Sequence, residues 1–169
     1  MPARRARKLN RWGQWNYSDF GFYFITICTQ NRQLFFGEVK NGEMILNIYG
    51  RIAKKFIKEI ENHFKNVYVN TFVVMPNHVH AVILIDNQEG RNVVNACVGN
   101  AYMRSLRGDR TKMVLPMVIN LFKAAVTRQI NSMQRDFQFR WQKSYHDHII
   151  RTPAELNRVR QYIAANPEN

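Results

Sequence analysis

Apolar positions change their spacing several times along the chain, and each change marks an element. From Gly21 to Thr29 nearly every position is aromatic, β-branched or otherwise apolar. A run that is apolar on both faces predicts a central strand. Gln33 to Val39 and Glu43 to Leu46 flank Asn41-Gly42, which predicts a hairpin closed by a two-residue turn. From Asn47 to Phe64 the period becomes helical. Ile48, Ile52, Phe56, Ile57, Ile60 and Phe64 fall on one stripe, with Lys54, Lys55, Lys58, Glu59 and Glu61 outside it. Asn66 to Val74 predicts a second core strand. Pro76-Asn77 turns the chain into a third, which opens at His78 and runs through the apolar stretch Ala81 to Ile85.

Asp86 to Pro116 has little periodicity and contains Gly90, Gly99 and Gly108, which predicts a long loop. A helix is expected from about Met117 to Met133, with Val118, Leu121, Phe122, Ala125, Val126 and Ile130 inward. Phe137 to Ile150 predicts a strand in two pieces around Lys143-Ser144. Thr152-Pro153-Ala154-Glu155 is a capping box with proline at the first helical position. The helix that it opens should end near Asn166-Pro167, because the residue before proline resists the α region.

Without the hairpin and the last helix the order is βαββαβ, the ferredoxin-like pattern. The expected fold class is therefore α+β: an antiparallel sheet with two helices on one face, a hairpin insertion near the N-terminus and a C-terminal helix. The 169 residues suit a single domain, with residues 1–19 as a basic arm and 86–116 as the long loop.

Charge narrows the class of partner. Lys and Arg number 25 against 12 Asp and Glu, for a net charge of +13. Such an excess makes a field that attracts polyanions. It is also uneven. Arg4, Arg5, Arg7, Lys8 and Arg11 precede any acid, and these arm residues are expected to contact phosphates. A second block runs from Arg104 to Lys143 and includes Lys123 and Arg128, opposed only by Asp109 and Asp136. Nucleic acid is the expected partner, with Lys123 and Arg128 either lining its path or forming an ordinary polar face. Cys28 and Cys97 have no metal-site spacing, and no apolar run reaches the ~20 residues of a membrane span. A cytoplasmic, nucleoid-associated protein is expected, with no membrane partner and no small-molecule cofactor.

Candidate chemistry begins at His78-Val79-His80. On a strand these two imidazoles point to one face, where they form a pair of metal ligands or two partly buried polar residues. In the last helix Leu156, Val159 and Ile163 make a narrow apolar stripe. Tyr162 sits at its edge, with Arg158 and Asn166 four residues away on either side. A metal held by the histidines could polarise a phosphodiester oxygen, and a tyrosine oxygen could then attack phosphorus. Rival assignments are a second pair, His146 and His148, and Tyr145 as an alternative nucleophile. Trp141 either packs in the core or stacks on a base, and His63 suits a helix C-terminus.

Several segments resemble one family. They are Tyr23 to Arg32, Phe72 to His80, Phe122 to Thr127, Trp141-Gln142, Asp147 to Arg151, and Tyr162 to Pro167. In this order they resemble the REP-associated tyrosine transposases, within the HUH class of single-strand DNA transposases and relaxases. The resemblance implies that His78 and His80 are metal ligands, with Asn166 as the third, and that the metal is Mg2+ or Mn2+. It implies that Tyr162 is the nucleophile that cuts single-stranded DNA, leaving a 5′-phosphotyrosine and a free 3′-hydroxyl. The DNA would be a hairpin-forming, REP-like repeat, bound by a monomer rather than a dimer. A non-catalytic DNA- or RNA-binding module of the same fold is the alternative from another class.

Overall fold

The computed structural model describes residues 17–86, 113–134 and 136–168. Arg4, Arg5, Arg7, Lys8 and Arg11 of the expected arm lie outside the described residues, as does most of the expected loop 86–116.

Strand β1 (Gly21–Cys28) is followed by the hairpin β2 (Gly37–Lys40) and β3 (Glu43–Leu46). Helix α1 (Ile48–Lys58) and a short α2 (Ile60–His63) lead to β4 (Val67–Met75) and β5 (His78–Ile85). Then come α3 (Val114–Met133), β6 (His146–Ile150) and α4 (Pro153–Ala165). The main sheet has the order β4-β5-β1-β6, and each neighbouring pair is antiparallel. The architecture is α+β, with the βαββαβ core that the element order predicts. Central β1 lies between β5 and β6, as its two apolar faces require.

The sheet separates two apolar clusters. Tyr23, Ile25 and Ile27 of β1 and Val79, Ala81, Ile83 and Ile85 of β5 join α1 and α3 in the main core. The alternate positions Phe22, Phe24 and Val82 pack with Leu156, Val159 and Ile163 of α4 in a smaller cluster. Period-two alternation thus places His78 and His80, in phase with Val82, on the α4 side.

Two local contacts secure α4. A register shift between Val69 and Thr71 leaves Asn70 as the bulged residue of β4, and Nε of Arg160 donates to its Oδ1 at 2.8 Å. At the helix start Glu155 accepts from the Arg151 amide at 2.9 Å and contacts His148 Nε2 at 2.6 Å, while the Thr152 hydroxyl caps the Glu155 amide.

The boundaries depart from expectation in four places. The helix expected from Asn47 to Phe64 breaks at Glu59, which ends α1 and starts α2. Gln33 to Phe36 is not strand, and Gln30–Arg32 form a 3-10 turn. Before Lys143 the expected strand contributes a single bridge, Trp141 to Thr29. Helix α3 starts at Val114 rather than Met117. Its first amides are met from far away in sequence: Val114 N donates to Ser18 Oγ at 3.1 Å and Leu115 N to Tyr17 O at 3.2 Å. The Asn41-Gly42 turn forms as expected, with φ of 53° and 76° at its two residues.

Candidate active site

The turn Pro76-Asn77 sets up the site before any side chain enters it. Its carbonyls accept from the loop after β1: Asn77 O from Thr29 N at 2.9 Å and Pro76 O from Phe36 N at 2.9 Å. Asn77 then fixes His78. Its Nδ2 donates to the Arg32 carbonyl at 3.3 Å, which turns Oδ1 toward the imidazole, 2.6 Å from His78 Nδ1. A carboxamide oxygen has no proton to give, so Nδ1 donates and Nε2 is left with a bare lone pair.

His80 is oriented from the neighbouring strand. Thr26 stands opposite it in the β1–β5 ladder, and the Thr26 hydroxyl lies 2.8 Å from His80 Nδ1. The ring stacks on Phe24 at 5.2 Å between centroids. The two Nε2 atoms lie 3.0 Å apart. Two ligands about 2.1 Å from one ion and at right angles would be ~3.0 Å apart, so the pair suits adjacent positions on an octahedral ion.

Both imidazoles are biased toward the neutral form that a metal needs. Burial lowers the pKa of His78, helped by the charge of Arg32. Burial lowers that of His80 further, to about 4, helped by His78 and partly offset by the Ile25 carbonyl. Cys28 faces His78 across the ladder, and burial raises its thiol pKa against the opposing influence of Arg32.

Helix α4 delivers Tyr162 to this pair within one chain. Its hydroxyl lies 3.4 Å from His80 Nε2, its ring meets His80 and Phe24 edge-on, and it is 48% exposed. The phenolic oxygen is therefore next to the histidines, on a side chain that is about half exposed. Asn166 follows one turn later, at the end of α4, and is buried. Arg158, one turn before, is exposed. Among the described residues no three His, Cys, Asp or Glu side chains cluster as a metal site. Two imidazoles alone leave an ion short of donors, so its fit depends on oxygen ligands beyond the pair. A mixed nitrogen and oxygen set suits Mn2+ better than Mg2+.

The other candidates separate cleanly. Tyr145 is buried in the main core. His146 is exposed, and His148 is engaged by Glu155. Trp141 packs against Phe36, Phe122 and Phe139 and donates to the Lys123 carbonyl at 3.2 Å. His63 ends α2, exposed. Lys123 Nζ donates to the Gln142 carbonyl at 2.6 Å and reaches that of Lys143 at 3.3 Å, so its charge serves the segment before β6. Arg128 is exposed on α3. Sequence reasoning missed Thr26, Asn77 and Arg32. The register that places Thr26 opposite His80 joins strands far apart in sequence, whereas the turn residue directly before His78 was a readable signal.

No profile of a known protein family matches the chain. An uncharacterized protein of Haemophilus influenzae (strain Rd) is 34% identical over 163 residues, spanning 95% of this chain and 88% of that protein. A solved REP-associated tyrosine transposase, bound to a REP hairpin, aligns over 99% of this chain and 73% of its own, with a TM-score of 0.56 and 17% identity. A candidate transposase from Deinococcus radiodurans R1 aligns over 97% of this chain and 96% of its own, with a TM-score of 0.48 and 16% identity. The chain belongs to one family with the Haemophilus influenzae protein, and its fold is that of a REP-associated tyrosine transposase.

Proposed function

We propose that the chain is a metal-dependent tyrosine nuclease and strand transferase acting on single-stranded, hairpin-forming DNA. The observation that carries this reading is the Tyr162 hydroxyl 3.4 Å from His80 Nε2, beside His78 in the same chain. His78 and His80, with Asn166 as third ligand, would hold Mn2+ or Mg2+. The ion, when bound, supplies positive charge to a phosphodiester oxygen and to the phenol.

The chain's own residues do the rest. Asn77 and Thr26 hold the two rings with Nε2 outward. Phe24 buttresses both His80 and the Tyr162 ring. The Tyr162 oxygen releases its proton to solvent water and attacks phosphorus. The P–O3′ bond breaks, and the 3′-oxygen takes up a proton and leaves as a hydroxyl. A 5′-phosphotyrosine remains, and a 3′-hydroxyl can reverse the step and join a strand. Arg158 and Arg128, with the arm residues Arg4, Arg5, Arg7, Lys8 and Arg11, are proposed as DNA contacts. The REP hairpin bound by the structural relative supports hairpin DNA as substrate class. That Tyr162 meets the histidines of its own chain supports a monomer as the working unit.

The test is incubation with Mn2+ and a pool of single-stranded hairpin oligonucleotides with randomised flanks, read as a protein–DNA adduct on a denaturing gel. An adduct abolished by Tyr162→Phe is expected. No adduct, or one that survives Tyr162→Phe, sinks the tyrosine assignment. Cleavage without adduct favours a hydrolase, and binding alone favours a non-catalytic module.

A further inference from the structure

The loop between β1 and β2 is fixed to the histidine turn at three points. Asn77 O accepts from Thr29 N and also from Thr29 Oγ1, at 3.0 Å, at one end. Pro76 O accepts from Phe36 N at the other. Between them the Asn77 carboxamide donates to the Arg32 carbonyl while its oxygen accepts from His78. One side chain therefore positions both a metal-ligand imidazole and the backbone of Arg32. The loop holds an unusual conformation there. Asn31 and Arg32 both lie in the left-handed region, at φ of 55° and 54°, although neither is glycine. Such backbone persists where surrounding contacts enforce it, and it clusters at ligand sites.

Arg32 itself is exposed, and among the described residues no carboxylate pairs with it. The Asn77 carboxamide that holds its carbonyl also contacts His78, so an anion drawn to this guanidinium would be held next to the histidine turn. A guanidinium presents a planar fork that matches two phosphate oxygens.

We propose that Arg32 is a phosphate-binding residue of the active site, seating the backbone of single-stranded DNA beside His78 and His80. The proposal rests on the DNA-processing reading above for its substrate, but DNA affinity tests it independently of cleavage. Its logic is positional. The loop is clamped to the same turn that aims His78, so the phosphate and the histidines are held in one frame. The DNA must pass over the end of the sheet where β5 begins, between this loop and the open side of Tyr162.

The experiment uses the full chain, with Arg32→Gly and Arg32→Lys. Glycine removes the side chain and is at ease at positive φ, so loss of function cannot be blamed on backbone strain. Binding of the randomised-flank hairpin pool is followed by fluorescence anisotropy from 50 to about 300 mM salt, and Mn2+ binding by titration without DNA. For Arg32→Gly we expect affinity to fall about tenfold or more. The slope of log affinity against log salt should shrink by about 0.7, the share of one contacted phosphate on a single strand. Mn2+ affinity and thermal midpoint should be unchanged or slightly raised. Arg32→Lys should restore much of the affinity. If Arg32→Gly binds DNA with wild-type affinity and salt slope, the proposal is overturned. If wild type binds DNA but forms no adduct, and the Arg32→Gly slope still falls, Arg32 stands as a phosphate contact and the nuclease reading fails.

Discussion

The hydroxyl of Thr26 lies 2.8 Å from Nδ1 of His80, across the ladder between two central strands. The contact ties the orientation of a buried imidazole to strand register, which is among the stiffest features of a sheet. Ring-orienting partners of this kind typically contribute 10- to 100-fold to metal affinity. Thr26→Val keeps the β-branched shape and removes the hydroxyl. We expect Mn2+ affinity to fall by about that range while the fold is retained, as measured by Mn2+ titration alongside thermal unfolding. Unchanged affinity would mean that packing on Phe24 alone aims the ring.

His80 also gives stability a pH dependence. Its folded pKa is about 4 against 6.5 for the free side chain. Below pH 6.5 the unfolded chain takes up a proton that the folded chain refuses, so stability falls between about pH 6.5 and 4 and is insensitive to this group above that window. The full shift corresponds to roughly 3–4 kcal/mol as an upper bound. Urea unfolding in the presence of a chelator should show a steeper loss over this window in wild type than in His80→Asn. Equal slopes would contradict a buried, neutral His80.

Lys123 was a candidate for the DNA path, but its ammonium group is engaged by the Gln142 and Lys143 carbonyls. Lys123→Met should destabilise the protein by about 1–3 kcal/mol, since it leaves those carbonyls short of a charged donor. DNA affinity and its salt slope should change little. A lowered slope at normal stability would return Lys123 to the DNA path.

Docking of α4 decides whether Tyr162 meets the histidines. Ile163 is 2% exposed in the small cluster that holds the helix down. Ile163→Ala should cost about 2–4 kcal/mol if that cluster unfolds with the domain. Asn70→Ala removes the acceptor for Arg160 and should cost about 1 kcal/mol or less. Both variants should lower the rate of adduct formation more than DNA affinity, because the histidines and Arg32 stay in place. Hydrogen exchange in α4, measured with the adduct rate, checks the link, and an undisturbed rate in Ile163→Ala would break it.

Much of this architecture was legible because its causes are local. Alternation along β5 places His78 and His80 on one face, and the stripe Leu156, Val159 and Ile163 lays α4 against a sheet. Asn41-Gly42 and the Thr152 capping box announce their own turns. What escaped was set by partners remote in sequence. Thr26 reaches His80 only through strand register, and α3 begins three residues early because Ser18 and Tyr17 meet its first amides. Arg32 is brought to the histidine turn because a carboxamide 45 positions away holds its carbonyl. Residues 33–36 lost their expected strand to the same clamp.

The start of α3 also says where the domain begins. Tyr17 is 2% exposed and packs on Tyr23, and Ser18 finishes a helix almost a hundred residues downstream. A variant trimmed to the first strand at Gly21 would shed only residues that look like tail, yet it would strip two helix-end partners and a core aromatic. The folded unit therefore includes Tyr17 and Ser18, which composition marks as part of a basic arm.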